Sequence, residues 1–231
     1  MDVAGQAGGP PFSFDLESLV WPLSVKDFVA RAMHSDVFFQ RGSPQRLSLF
    51  EAALGGYDLT YLFAHGEGAT VYKEGGRHTT RGSDSDRDVD VLVPGVTVQT
   101  HLQNKLPFGR KLIASVARQM DLTSGYFTVF ASLDANTTVH FDRNYSFTIQ
   151  LRGEKTWAVH ADYPGIARPS ANLADDSEPL IYRLQPGDIL YVPPGYRHAT
   201  ECAGLSLSLN LCLEPLGSPR WTECPAATTA E

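Results

Sequence analysis

Between Tyr126 and Leu213, apolar residues come in short alternating or clustered runs, each cut off by Gly, Pro, Asn or Asp. The runs Tyr126–Leu133, Thr137–Leu151, Lys155–His160, Ile181–Leu184, Asp188–Val192 and Leu205–Leu213 read as strands, and no helical period separates them. Such a succession predicts a jelly-roll or barrel. Upstream the period changes. Val25, Phe28, Val29 and Ala32 share one helical face behind Ser24, an N-cap with Asp27 three residues on. A short strand follows at Val37–Gln40. A second helix is expected from about Gln45 to Leu54, ended by Gly55-Gly56. Val91–Val93 and Val96–Val98 look like strand pieces around a Pro94-Gly95 turn. A helix from about Gly109 to Met120 then puts Leu112, Ile113, Val116 and Met120 on one side.

The expected fold class is therefore mainly β with flanking helices, in one domain over residues 14–213. Within it, 14–125 would supply helices and strands and 126–213 the jelly-roll core. Residues 1–13, rich in Gly, Pro and Ala, and 214–231, rich in Pro, Thr and Ala, read as tails. Residues 65–90 are dominated by Gly, Asp, Ser, Arg and Lys, with few apolar side chains to pin them. A mobile surface loop is expected there. No internal repeat is visible.

Composition narrows the partners. Hydrophobic residues make up 42% and charged residues 19%, enough for a buried core. The net charge of -7 argues against a sequence-independent nucleic-acid binder, which needs a basic face. Apolar runs are too short to span a membrane. Three cysteines, Cys202, Cys212 and Cys224, without zinc-site spacing or a secretory signal, point to a reducing, cytoplasmic setting.

The chemistry concentrates in Thr137-Thr138-Val139-His140-Phe141-Asp142. Alternate strand residues face one way, so His140 and Asp142 project together, ~7 Å apart along the backbone. His198 follows a turn–strand–turn segment, Gln185 to Arg197, whose Pro193-Pro194-Gly195 turn would fix its direction. Two imidazoles and one carboxylate leave part of an octahedron open, the set suited to non-haem Fe(II) oxygenases.

His140-x-Asp142 with His198 fifty-six residues further on resembles the metal motif of JmjC-type oxygenases of the cupin superfamily. The resemblance runs from about Asp15 to Leu213 and is strongest from Phe130 on. Phe147 to Trp157, with Gly153-Glu154-Lys155, and Pro186-Gly187-Asp188 through His198 carry it beyond the triad. It implies a double-stranded β-helix, Fe(II) as metal and 2-oxoglutarate as cosubstrate. It further implies that Lys155 pairs with the far carboxylate of 2-oxoglutarate, that Thr137 donates a hydroxyl to it, and that Asn210 lies near the metal. Ser146 departs from the asparagine that some members carry four residues after the Asp.

The activity implied is hydroxylation of a C–H bond in an amino-acid side chain, in a protein, a peptide, or a free or carrier-bound amino acid. O2 is consumed, and succinate and CO2 are released. A non-catalytic cupin-fold binder and an N-methyl demethylase using the same oxidant are the alternatives. Asp142 argues against halogenation, where a small residue makes room for chloride. A monomer or a homodimer is expected. Tyr126, Trp157 and Phe147 are expected to pack, and His101 is read as structural or surface rather than pocket-lining. Arg143 and Arg152 are read as solvated.

Overall fold

A computed structural model describes residues 13–33, 36–64, 66–73, 78–81, 92–102, 106–160 and 178–214. The expected tails lie outside these, apart from Ser13 and Glu214. The N-terminal part carries α1 (Leu16–Val20), α2 (Val25–Met33), β1 (Phe38–Gln40), α3 (Pro44–Ala53), a 3-10 turn (Gly55–Tyr57) and α4 (Leu59–Ala64). It continues with β2 (Glu67–Lys73), β3 (His78–Arg81), β4 (Val96–His101) and α5 (Pro107–Gln119). The remainder is all β: β5 (Ser124–Leu133), β6 (His140–Phe141), β7 (Tyr145–Arg152), β8 (Lys155–Val159), β9 (Leu180–Leu184), β10 (Ile189–Val192), β11 (Arg197–Glu201) and β12 (Leu205–Glu214).

These strands make two antiparallel sheets, as the jelly-roll expectation requires. The larger has the order β1-β10-β7-β12-β5-β4-β2-β3 and the smaller β6-β11-β8-β9. Strand alternation sorts the two faces of the large sheet. Phe127, Val129, Ala131, Phe147, Ile149, Leu207, Leu209 and Leu211 point outward into the main core, where Leu112, Val116 and Met120 of α5 and Phe28 of α2 cover them. Their strand neighbours point the other way, toward the small sheet. There Trp157, Val159, Leu184, Leu190 and Val192 close a second apolar cluster between the sheets.

Two features lock this frame. Buried Arg46 of α3 donates to the carbonyls of Ser18, Trp21, Arg41 and Gly187, tying the first helices to the β9–β10 turn. Gly153, at φ +65°, turns β7 into β8 where a Cβ would sit 1.9 Å from the Leu205 carbonyl oxygen. Only glycine fits both the positive φ and that approach.

Four expectations are corrected. The 65–90 stretch holds two strands, because Val71 is buried in the core and β2 pairs with β4 through a bulge at Gly68. Residues 74–77 and 82–90 lie outside the described set. The run Thr137–Leu151 is broken after Phe141, where the Asp142 carbonyl instead accepts from the Gly195 amide at 2.7 Å. Leu92 and Val93 precede a turn, with the Val96 amide donating to the Val93 carbonyl at 3.0 Å, rather than forming a strand. Finally, the segment carrying His198 is itself a strand, β11. Among the described residues no helix is long and apolar enough to cross a membrane.

Candidate metal centre

His140 and His198 are cross-strand partners: β6 pairs antiparallel with β11, placing them opposite one another. Their ring centroids are 4.4 Å apart. Asp142 follows on the same side as His140, and its carboxylate comes within 3.7 Å of His198 Nε2. One ligand atom from each of the three lies within 4.8 Å of the others. The tight Pro193-Pro194-Gly195 turn, with Gly195 at φ +84°, feeds β11 into this position and is pinned by its bond to Asp142.

The tautomers suit metal binding. His140 Nδ1 bonds to the Thr138 carbonyl at 2.8 Å, and His198 Nδ1 to the Tyr196 carbonyl at 3.0 Å. Each Nδ1 thus carries its proton and leaves the Nε2 lone pair free. His198 is only 3% exposed at its side chain, and burial lowers its pKa against the opposing pull of Asp142. It is held neutral, as a ligand must be. The Trp157 ring lies 5.1 Å from that of His198, tilted 30°, and fixes its plane. Asp142, 48% exposed, can move. An ion bound to all three at ~2.1 Å would draw the donors to roughly 3 Å apart, and Asp142 has the freedom to make that adjustment.

The inward face of the large sheet behind the triad is polar. Thr128, Ser132, Ser146, Thr148, Gln150, Ser206, Ser208 and Asn210 are all buried on the inward face of the large sheet. At its far end Lys155 of β8 reaches across and donates to Ser132 Oγ at 3.2 Å, and Ser132 also receives Thr97 Oγ1 at 2.9 Å. Burial lowers the Lys155 pKa to about 8, partly opposed by the nearby Cys202. Thr137 uses its hydroxyl on Thr200, accepting from that residue's amide at 2.8 Å. The hydroxyl found against Lys155 is therefore that of Ser132. Asn210 opposes Thr128 and Thr148 on the neighbouring strands, and its Oδ1 has no partner among the described residues.

The family model for the JmjC domain matches residues 101–218, slightly more than half of the chain. The chain belongs to the JmjC domain family. Among curated proteins, this JmjC chain is 33% identical over 89 residues to ribosomal oxygenase 1 of Rattus norvegicus, covering 36% of the chain and 15% of that protein. It is 32% identical over 78 residues to the bifunctional lysine-specific demethylase and histidyl-hydroxylase NO66 of Drosophila persimilis, covering 32% of the chain and 11% of that protein. The JmjC chain thus spans less than a fifth of the length of these relatives. Among solved structures, the Escherichia coli ribosomal oxygenase YcfD in complex with cobalt and 2-oxoglutarate superposes with a TM-score of 0.60 at 16% identity. That match covers 91% of the JmjC chain and 62% of YcfD, and it shows the shared fold.

His101 and Tyr126 sit together, ring centroids 5.6 Å apart, on the inward-facing wall. Asn144, two residues after Asp142, donates to the Tyr126 hydroxyl at 3.0 Å. Burial raises the Tyr126 pKa, with Cys212 adding to it, so the phenol stays protonated. Ser132 was not foreseen. The available signal was the alternation Tyr126, Thr128, Phe130, Ser132, which puts polar groups inside a strand whose other face is fully apolar.

Proposed function

We propose that the chain is an Fe(II)- and 2-oxoglutarate-dependent oxygenase that hydroxylates a C–H bond of an amino-acid side chain in a protein substrate. The observation that carries this is the convergence of His140, Asp142 and His198 at one end of a polar inward sheet face whose other end meets a buried lysine. Two imidazoles and a carboxylate fit ferrous iron and leave positions open. A buried ammonium needs an anionic partner, and the far carboxylate of 2-oxoglutarate supplies one. Membership of the JmjC family and likeness to ribosomal oxygenases support the same reading.

In this reading His140 Nε2, His198 Nε2 and an Asp142 oxygen hold the iron. Lys155 and the Ser132 hydroxyl hold the far carboxylate, and Asn210 stands near the metal. Thr137, which accepts from the Thr200 amide and lies 3.3 Å from the Thr200 hydroxyl, keeps β11 and hence His198 in place, and its hydroxyl is the one proposed to donate to the cosubstrate. Iron with 2-oxoglutarate supplies the oxidising chemistry, in which O2 is consumed and succinate and CO2 leave. The chain's own side chains orient the reactants and exclude bulk water. Free Cys202 and Cys212 fit a reducing, cytoplasmic setting, and the chain acts as a monomer or homodimer in this reading.

Anaerobic chain given Fe(II) and 2-oxoglutarate should develop a weak visible charge-transfer band, and admitting O2 should yield succinate. A band with no succinate would favour a non-catalytic binder. Because one relative is named both demethylase and hydroxylase, formaldehyde is assayed alongside; its release would move the assignment to N-methyl demethylation.

A further inference from the structure

Tyr126 on β5 and Cys212 on β12 are directly opposed in the large sheet, and Ser146 of β7 opposes Cys212 on its other side. The Tyr126 phenol donates a hydrogen bond to Cys212 Sγ, and Ser146 Oγ lies 4.0 Å from the same sulfur. The phenol oxygen accepts in turn from Asn144 Nδ2 at 3.0 Å, two residues past Asp142. The His101 ring packs edge-on against the Tyr126 ring. Cys212 is 7% exposed and Tyr126 half-buried.

A thiol beside a phenol is an ordinary core contact. The place of this pair is not ordinary. Both groups lie within electrostatic reach of the Asp142 carboxylate, so two readily oxidised side chains stand beside the triad that would hold iron. Burial raises the Cys212 pKa to about 12, and the thiol stays protonated. Only a thiolate would join the metal as a further ligand, so Cys212 is left with its S–H bond intact. Cys202 lies instead near Lys155, at the far end of the inward face.

The hydrogen bond also fixes which atoms meet. A phenol O–H lies in its ring plane, beside one of the two ring carbons that flank the C–O bond. A sulfur that accepts this hydrogen stands at the ring edge nearest that carbon, Tyr126 Cε. Removing the phenolic hydrogen atom puts unpaired electron density on the same carbon.

We propose that Tyr126 and Cys212 are a self-modification site, joined by a Cε–Sγ thioether when the iron site consumes O2 and 2-oxoglutarate with no substrate in place. This rests on the oxygenase reading above. The Tyr126 Cε–H and Cys212 Sγ–H bonds break, and one Cε–Sγ bond forms. The pair is oxidised by two electrons. Those electrons and the two released protons reduce one oxygen atom of O2 to water. The other oxygen atom enters succinate, and CO2 leaves. The new bond ties β5 to β12 and fixes the phenol that Asn144 holds beside Asp142.

The test starts from metal-free chain, loaded anaerobically with Fe(II) and 2-oxoglutarate and then given O2 without substrate. After unfolding and full reduction, the intact mass should fall by two hydrogen atoms, and the alkylatable thiols should fall from three to two. The tryptic fragments carrying Tyr126 and Cys212 should run joined. Fragmentation should place the bond at those two residues and leave Cys202 free. Tyr126→Phe and Cys212→Ser should each keep their full mass, and so should wild type loaded with Co(II) in place of iron. The Co(II) sample keeps the comparison intact should a variant fail to fold. Succinate release with three thiols and an unchanged mass overturns the cross-link and leaves the oxygenase reading standing. Oxygen added to Tyr126 or Cys212 instead of the bond between them, or joined fragments formed equally with Co(II), also overturns it. Absence of succinate rejects the oxygenase reading and the cross-link built on it.

Discussion

Lys155→Met exchanges a buried ammonium for an apolar side chain of similar length. Burial holds the Lys155 pKa at about 8 against 10.5 in the open chain. At ~1.4 kcal/mol per tenfold change in proton affinity, the folded chain carries a cost of ~3 kcal/mol at neutral pH. Below pH 8 the lysine is charged in both states and the cost is complete. Between pH 8 and 10.5 the folded form releases its proton while the unfolded form keeps it, so wild-type stability rises with pH over this window. Methionine removes the cost, and Ser132 is not orphaned, because Thr97 remains bonded to it. Allowing for the lost Lys155–Ser132 hydrogen bond, ~1 kcal/mol, the variant should be more stable by ~2 kcal/mol at pH 7. That corresponds to roughly 4–8 °C in Tm for a chain of this size. At pH 10 the advantage should be gone. Thermal melts followed by circular dichroism at both pH values measure this. The same melts with 2-oxoglutarate test the functional half: saturating ligand should raise the wild-type Tm by mass action and leave the variant's unchanged. A variant destabilised equally at pH 7 and pH 10, or one still stabilised by 2-oxoglutarate, would refute the reasoning.

Other substitutions address the rest of the account. His140→Ala and Asp142→Ala should abolish succinate formation with unfolding free energies within ~1 kcal/mol of wild type, since both side chains lie at the exposed mouth; near-normal turnover in either rejects the triad. Metal affinity, read by calorimetry with Co(II), should hold steady from pH 8 to 6.5 and fall below that, because burial keeps His198 neutral to lower pH than a free histidine. A midpoint at or above pH 7 would contradict that sign. Gly153→Ala forces a Cβ against the Leu205 carbonyl at a positive φ and should cost at least ~2 kcal/mol in denaturant unfolding; a neutral effect would mean the β7–β8 turn is not as described. Arg46→Met strips donors from the carbonyl groups of Ser18, Trp21, Arg41 and Gly187, two of these bonds buried and two half-buried, and should cost ~3–5 kcal/mol, against less than ~1 if the guanidinium is incidental.

The strands of the core were legible because their outward residues are nearly all apolar, as in Leu205-Ser206-Leu207-Ser208-Leu209-Asn210-Leu211. The triad was legible because His140 and Asp142 share a face by period alone. β11 was not, because Arg197-His198-Ala199-Thr200-Glu201 has no apolar alternation; its strand character comes from pairing with β6 and β8. β2 and β3 were hidden by polar composition, since strand addition to β4 needs one buried valine and backbone hydrogen bonds rather than an apolar run. Ser132 and His101 could not be read as site residues in isolation. Their places depend on tertiary packing, since Ser132 meets Lys155 from the opposite sheet and only strand register sets His101 beside Thr128.

The central claim is that His140, Asp142 and His198 share one ion. X-ray absorption at the iron edge of the anaerobic, Fe(II)-loaded chain measures it directly. Two imidazole shells with nitrogen and oxygen donors at ~2.1 Å are expected in the wild type, one imidazole shell in His198→Ala, and none when both histidines are replaced. An iron environment that keeps both imidazole shells after His198 is removed would contradict the assignment.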